Sequence, residues 1–324
     1  MGKTRIQLPD WNALAALDDA ALPLLPTALL IARDEYPALD PAEYDALVQS
    51  HVEHLRPEVE AIPSTALKMA AINRHLFDEL GYSGNHDAYY DPRNSYLNQV
   101  LERRLGNPIS LAMVQMEVAR RLGVPLDGVS FPGHFLVRLP VDVGRLVMDP
   151  CNGCRPLAVE ELRERVRPHL GGEVPDDRVL LQILTPAPHR AILARVLRNL
   201  HGVYAEAGEW DRAARSADRV LRLVPEETDA LRDRGLAYLE LGHIEGARRD
   251  LTRYLQQSAD ASDAESIRTE PAAPSLGARR RTQTAIISKS SLVTPQSGQV
   301  QVSGMSSQRV PGGMPSSGKP SASW

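Results

Sequence analysis

Residues 94–111 read NSYLNQVLERRLGNPISL, and this stretch sets the framework for the chain. Its apolar residues recur at helical spacing, which predicts a helix from Asn94 to Gly106. Asn107-Pro108 then breaks the chain, and a long helix is expected from near Ser110 to Gly123. Ser110 is therefore predicted to lie at a helix start.

The sequence before this stretch is also helical in pattern. Asp40 followed by Pro41 predicts a helix start, because aspartate accepts unpaired backbone N–H groups and proline suits the first helical position. A second helix is expected from about Ser64 to Leu80, where Gly81 ends it. We therefore expect the first ninety residues to be mostly helical.

After Gly123 the pattern changes to that of strands. Residues 129–139 are β-branched and aromatic with turn residues inside them, and residues 145–148 form a short apolar run. Both segments predict strands. A small antiparallel sheet among many helices gives the fold class α+β.

Three residues in this region form a candidate catalytic triad: Ser110 at a helix start, His134 on one strand and Asp149 on the next. Two adjacent antiparallel strands would bring the imidazole and the carboxylate together. A carboxylate on one ring nitrogen leaves the other nitrogen free to act as a base. Ser110 is better interpreted as a helix cap, and His134 with Asp149 is equally well interpreted as a structural pair.

Three further residues are candidates for binding. Asn94 and Asn98 lie four apart on the predicted helix and could line a cleft as hydrogen-bond donors, although Asn94 also suits helix capping. Gly133 is expected to serve a tight turn rather than an oxyanion site.

The only two cysteines, Cys151 and Cys154, form a C-x-x-C motif. A zinc site needs four ligands, and the chain has no second cysteine pair. A turn with two incidental thiols is the default interpretation, and a displaced nucleophile close to Asp149 is the alternative. No metal or cofactor is implied.

The region from Ala187 repeats itself with a period of 34 residues. Tyr204 and Gly208 recur as Tyr238 and Gly242, and the same offset relates Ala213 to Ala247, Arg215 to Arg249 and Leu221 to Leu255. This period, with these residue types, is typical of tetratricopeptide repeats. Two such units are too few for independent stability, so they should lean on the preceding domain.

Composition and charge restrict the class of protein. Hydrophobic residues make up 43% of the 324-residue chain, enough for a sizeable core. The chain charge is −4, and the segment from Pro271 onward holds six cations and no acid, which leaves −10 on residues 1–270. An acidic body argues against nucleic-acid binding. Few cysteines, no secretion signal and no long apolar run predict a cytoplasmic protein without membrane contact.

The motifs together resemble one bacterial family, SirB. The resemblance rests on residues 94–111, on Phe131-Pro132-Gly133-His134-Phe135-Leu136-Val137-Arg138 and on Asp149-Pro150, and it spans about 25 to 258. It implies a transglutaminase/cysteine-protease-like domain at 1–186 and tetratricopeptide repeats at 187–261. The tail lies outside the resemblance, and its Ser/Gly/Pro-rich composition without a period predicts disorder at 262–324.

The resemblance also implies a Cys-His-Asp triad, in which His134 and Asp149 match the last two members. The cysteine has no match, and Ser110 is the nearest residue to its position. A serine hydroxyl is a much weaker nucleophile than a thiolate. We therefore expect a non-catalytic interaction or regulatory module that binds a protein or peptide partner through its cleft and repeats. The alternative is a serine-dependent hydrolase or acyl transferase that uses Ser110, His134 and Asp149.

The family name is linked to control of bacterial gene programmes. Because the acidic body offers no DNA-binding face, such an effect would run through protein partners. The sequence does not indicate an oligomeric state.

Overall fold

The computed structural model describes residues 6–142, 144–258 and 260–269. The α-helices are α1 Trp11–Leu14, α2 Leu24–Arg33, α3 Pro41–Ala61, α4 Thr65–Asn73, α5 Leu97–Arg103, α6 Pro108–Arg121, α7 Val159–Val166, α8 Asp177–Ile183, α9 His189–Ala207, α10 Trp210–Leu223, α11 Thr228–Glu240, α12 Ile244–Gln257 and α13 Ala264–Thr269. The strands are β1 Ser83–Gly84, β2 Leu105–Gly106, β3 Asp127–Val129, β4 Leu136–Pro140 and β5 Arg145–Met148. Helices with small sheets confirm the α+β class.

The predicted helix starts in the first part of the chain agree with the structure. The Asp40 side chain accepts the Ala42 N–H at α3, and Ser64 caps α4. The second predicted helix is divided, because α4 ends at Asn73 and a π-helix, Arg74–Glu79, follows. Gly81 then has a φ of +76°, a conformation that glycine adopts without strain.

The three-stranded sheet has the antiparallel order β3-β4-β5. The segment predicted as one strand, 129–139, forms the end of β3, a turn and most of β4. Pro132 and Gly133 cause this break, since proline lacks an N–H and Gly133 has a φ of +69°. A second, two-stranded sheet pairs β1 and β2 in parallel.

The helices around residues 94–111 are shifted from their predicted bounds. Asn94 ends a short 3-10 helix, Pro92–Asn94, and α5 begins only at Leu97. Arg104 has a φ of +59° and ends α5. Helix α6 starts at Pro108, two residues before Ser110, because Asn107 caps it.

Helices α9 to α12 form two antiparallel pairs with the geometry that the 34-residue period predicts. Gly208 and Gly242 have φ values of +74° and +75° at the two turns. Ala213 and Ala247 are completely buried, where a small side chain lets neighbouring helices approach closely.

The repeats share one hydrophobic core with the preceding domain. This core contains residues from α2, α3 and α6 together with residues from α9 and α10. At the junction the buried hydroxyls of Tyr96 and Tyr204 lie 2.8 Å apart. The repeat pair therefore packs against the preceding domain and shares its core, as its small size predicts.

The tail predicted to be disordered from 262 lies mostly outside the described residues. Its first part differs from that prediction, because α13 covers Ala264–Thr269 and buries Ile267. Within the described residues, no helix combines the length and the apolar character that a membrane span needs.

Candidate functional site

His134 and Asp149 meet at one end of the three-stranded sheet. Their side chains are joined at 2.8 Å through His134 Nε2 and Asp149 Oδ1. The prediction that both lie on strands is wrong: His134 lies in the turn before β4, and Asp149 directly follows β5. They meet because Val137 pairs with Met148, which places the residues just beyond each strand side by side.

Asp149 is almost fully buried, and both of its oxygens are engaged. Oδ1 also accepts the backbone N–H of Cys151 at 3.1 Å, and Oδ2 accepts Arg165 Nη1 at 2.8 Å. Burial alone would raise the pKa of Asp149, but the hydrogen bonds from His134 and Arg165 outweigh it and lower this pKa to about 2. The carboxylate is therefore ionised and holds the imidazole in place.

The remaining ring nitrogen of His134, Nδ1, makes no hydrogen bond within the described residues. The side chain is 26% exposed, so solvent reaches it. With Nε2 directed at the carboxylate, Nδ1 is the nitrogen left to accept a proton or to bind a ligand.

Ser110 is buried in the third position of α6 and belongs to a capping box. Its Oγ accepts the Asn107 N–H at 3.0 Å, while the Asn107 side chain accepts the Ser110 N–H at 3.0 Å. The Ser110 hydroxyl also donates to the Asn94 carbonyl at 2.7 Å. Ser110 is thus a capping residue, but Asn107 holds the N-cap position itself. No hydrogen bond in the described chain joins Ser110 to His134.

Asn94 and Asn98 do not share a helix face, because the chain between them changes from a 3-10 helix to α5. The Asn94 amide donates to the carbonyls of Ala88 and Tyr89 and braces the preceding loop instead of capping a helix. Asn98 is buried, and its Oδ1 has no hydrogen-bond partner. The structure places Gly133 in the turn before β4, next to His134.

Neither thiol is activated. Cys154 is buried, and its sulfur accepts the Gln115 amide at 2.8 Å. Cys151 Sγ packs so closely against Gly84 that a Cβ there would lie 2.9 Å from it. Burial, and next the charge of Asp149, raise the pKa of Cys151 to about 12. It is therefore a neutral thiol near pH 7.

Two residues that the sequence analysis did not single out lie beside these groups. Arg195, on α9, stands over the Phe135 ring at 5.7 Å and makes no ion pair or hydrogen bond within the described residues. Burial, and next the charge of Arg198, lower the pKa of Arg195 to about 10. Tyr89 is close enough to both Cys151 and Arg195 for their charges to act on its pKa, which burial raises.

The contact of Arg195 with Phe135 could not be predicted from the sequence. Arg195 lies 60 residues from Phe135 in the chain, and only the docking of α9 on the sheet brings them together. The assembled region has an oriented imidazole, a fixed carboxylate and an unpaired guanidinium, but no activated nucleophile. Such a set can bind and orient an anionic group.

Sequence comparison identifies two families along the chain. The transglutaminase-like superfamily matches residues 42–198, and the tetratricopeptide repeat matches residues 200–270. The first match contains His134 and Asp149, and the second contains α10 to α13.

Two bacterial relatives align with the chain over most of their length. A UPF0162 protein of Xylella fastidiosa is 72% identical over 264 residues, which cover 82% of this chain and 94% of that protein. A UPF0162 protein of Pseudomonas aeruginosa is 34% identical over 240 residues, covering 74% and 86% of the two chains.

A shorter match comes from a eukaryotic protein. F-box only protein 21 of Homo sapiens is 38% identical over 113 residues, which cover 30% of this chain and 18% of that protein. No solved structure matches the chain significantly.

Proposed function

The chain belongs to the UPF0162 family, in which a transglutaminase-like domain precedes tetratricopeptide repeats, and from this membership we propose that it is a non-catalytic interaction module. Its cleft beside His134 binds an acidic protein segment without turning it over. Its repeats bind a segment of the same or another partner, the usual role of such helical arrays.

The observation that carries this proposal is the start of α6. The position where the superfamily keeps its attacking cysteine falls within Asn107-Pro108-Ile109-Ser110, which offers only one hydroxyl. That hydroxyl is buried and donates to the Asn94 and Asn107 carbonyls. A serine must pass its proton to a base in order to attack, and here the proton is directed at backbone oxygens.

The thiols do not replace the missing nucleophile. Burial raises the pKa of both Cys151 and Cys154 to about 12, so thiolate is scarce near neutral pH. Cys154 is directed at Gln115, on α6, and lies away from solvent.

The charge of Arg195 favours an anionic ligand. A partly desolvated cation without a counter-ion is costly, and a bound carboxylate would remove that cost. Tyr89 is half-exposed next to it and supplies an aromatic surface for the rest of the segment. We infer that the cleft takes an aspartate, a glutamate or a chain-terminal carboxylate.

The absence of catalysis is tested on Ser110. We expect the full chain to resist fluorophosphonate probes, which label activated serines. Ser110→Ala should lower the free energy of unfolding by about 1 kcal/mol, because the hydrogen bonds of the buried Ser110 hydroxyl with Asn107 and with the Asn94 carbonyl are lost. Ser216→Ala is the matched control, since the Ser216 hydroxyl donates only to Arg212 within its own helix. Probe labelling that disappears with Ser110→Ala would establish the hydrolase alternative instead.

Ligand chemistry is tested on Arg195. We expect the full chain to select acidic peptides from a synthetic library and Arg195→Gln to weaken that binding about 10-fold or more, the loss of one charge-assisted contact. Arg248→Gln, at a side chain that is 74% exposed, is the control. Equal binding by wild type and Arg195→Gln would contradict this assignment.

A further inference from the structure

Three histidines gather where α3 meets the π-helix. The rings of His54 and His75 stack with their centroids 4.6 Å apart, and His51 meets His75 edge-on at 5.5 Å. Glu79 lies one turn after His75, and its Oε2 is 2.9 Å from His75 Nδ1. Neither the His134–Asp149 pair nor the repeats include these residues.

We propose that His54, His75 and Glu79 form a binding site for a divalent transition-metal ion, with Zn²⁺ as the preferred ion. One potential ligand atom from each residue lies within 4.8 Å of the other two. Two imidazoles and one carboxylate are a ligand set that zinc accepts, with its fourth position open to water.

The three ligand atoms can move close enough together to surround an ion. Ligands of a tetrahedral zinc lie about 3.3 Å apart, given bonds of about 2.0 Å. His54 and Glu79 are exposed, while His75 is buried. The site therefore has one buried ligand and two exposed ones that can adjust, and it opens to solvent on the side of His54.

Two ring nitrogens of the cluster are left without a partner. Nε2 of His51 and Nε2 of His75 are buried without a hydrogen-bond partner.

Two cations close to the cluster are already engaged. Arg74 binds both oxygens of Glu58 at 2.7 Å and touches only Oε1 of Glu79, at 3.1 Å. Oε2 of Glu79 is left facing His75. Arg104 donates to the Leu80 carbonyl at 2.9 Å.

The test is titration of the full, untagged chain with Zn²⁺ by calorimetry and with Co²⁺ by absorption. We expect one ion per chain, and visible Co²⁺ bands without a thiolate charge-transfer band. His54→Gln and Glu79→Gln should each weaken binding about 10-fold or more. Both side chains are exposed, so these variants should fold.

The matched controls are His169→Gln, at an exposed histidine outside the cluster, and Cys151→Ser with Cys154→Ser. Each of these three single variants should bind Zn²⁺ like the wild type. The proposal is overturned if the wild type binds no ion, if the cysteine variants lose it, or if His54→Gln and Glu79→Gln bind Zn²⁺ as tightly as the wild type.

Discussion

Among single residues, Asp149 gathers several polar contacts of the candidate site. It accepts hydrogen bonds from His134, from Arg165 and from the Cys151 backbone while only 3% exposed. Removing its charge would leave Arg165 with Glu161 as its remaining partner and His134 without orientation. The charge of this carboxylate is therefore coupled to folding.

This coupling predicts how stability depends on pH. Folding lowers the pKa of Asp149 from 3.8 to about 2, so its contribution is fully present above pH 3.8 and is lost as the pH falls through 2. The shift corresponds to about 2 kcal/mol. Urea unfolding should show that the wild type loses about 2 kcal/mol more than Asp149→Asn between about pH 5 and pH 2.

The stability of each protein at the lower pH is compared with its own stability at the higher pH. The contributions of the other carboxylates then cancel between the two proteins. Glu245→Gln, at an exposed ion pair with Arg248, serves as the control and should follow the wild-type profile. Parallel profiles for the wild type and Asp149→Asn would mean that Asp149 has an ordinary pKa in the folded chain.

Among the elements, the contact of α11 with α12 depends on Gly235. A Cβ at Gly235 would lie 2.8 Å from both Cγ and Cδ2 of Leu251. Gly235→Ala should therefore destabilise the chain by about 1 to 2 kcal/mol, even after the gain in helix propensity. Chemical denaturation measures this difference directly.

A double-mutant cycle isolates the clash from other effects. In a Leu251→Ala background the space is open, so Gly235→Ala should be neutral or stabilising there. An unchanged cost in that background would show that Gly235 is required for some reason other than its contact with Leu251.

The elements also show what a sequence can and cannot predict. The cap at Asp40, the helix start near Ser64 and the 34-residue period are local or regular signals, and the structure agrees with them. The N-cap of α6 was predicted at Ser110 instead of Asn107, because a helix start depends on which of several polar residues finds a partner.

The residues of the candidate site also divide into those that local patterns predict and those that only the packing of distant segments brings together. His134 and Asp149 were paired through strand order, a short-range argument that the 2.8 Å contact agrees with. Arg195 and the histidine cluster depend on helices packing from distant parts of the chain. Neither period nor composition encodes such contacts, so they had to be seen in three dimensions.

For the whole molecule, the shared core predicts a single cooperative unfolding transition. Trp11, on α1, belongs to the shared core and lies under Arg219 of α10, and Trp210 begins α10 in the repeats. In a Trp324→Phe background, Trp11→Phe leaves Trp210 as the only reporter, and Trp210→Phe leaves Trp11. The fluorescence midpoints of the two variants should coincide in urea.

Tyr204→Phe should lower both midpoints equally, since it leaves the buried Tyr96 hydroxyl without its partner at a cost of about 1 to 3 kcal/mol. A Trp210 transition at clearly lower urea than that of Trp11 would show instead that the repeats unfold alone.

The tyrosine pair at the junction has an evolutionary consequence. A repeat array that folds by itself can be shuffled between genes as a cassette. Here a recombination breakpoint just before α9 would expose the apolar face of that helix and leave the Tyr96 hydroxyl without its partner. Both halves would then be less soluble. Inheritance should therefore keep the two parts as one block, exchanged together or not at all.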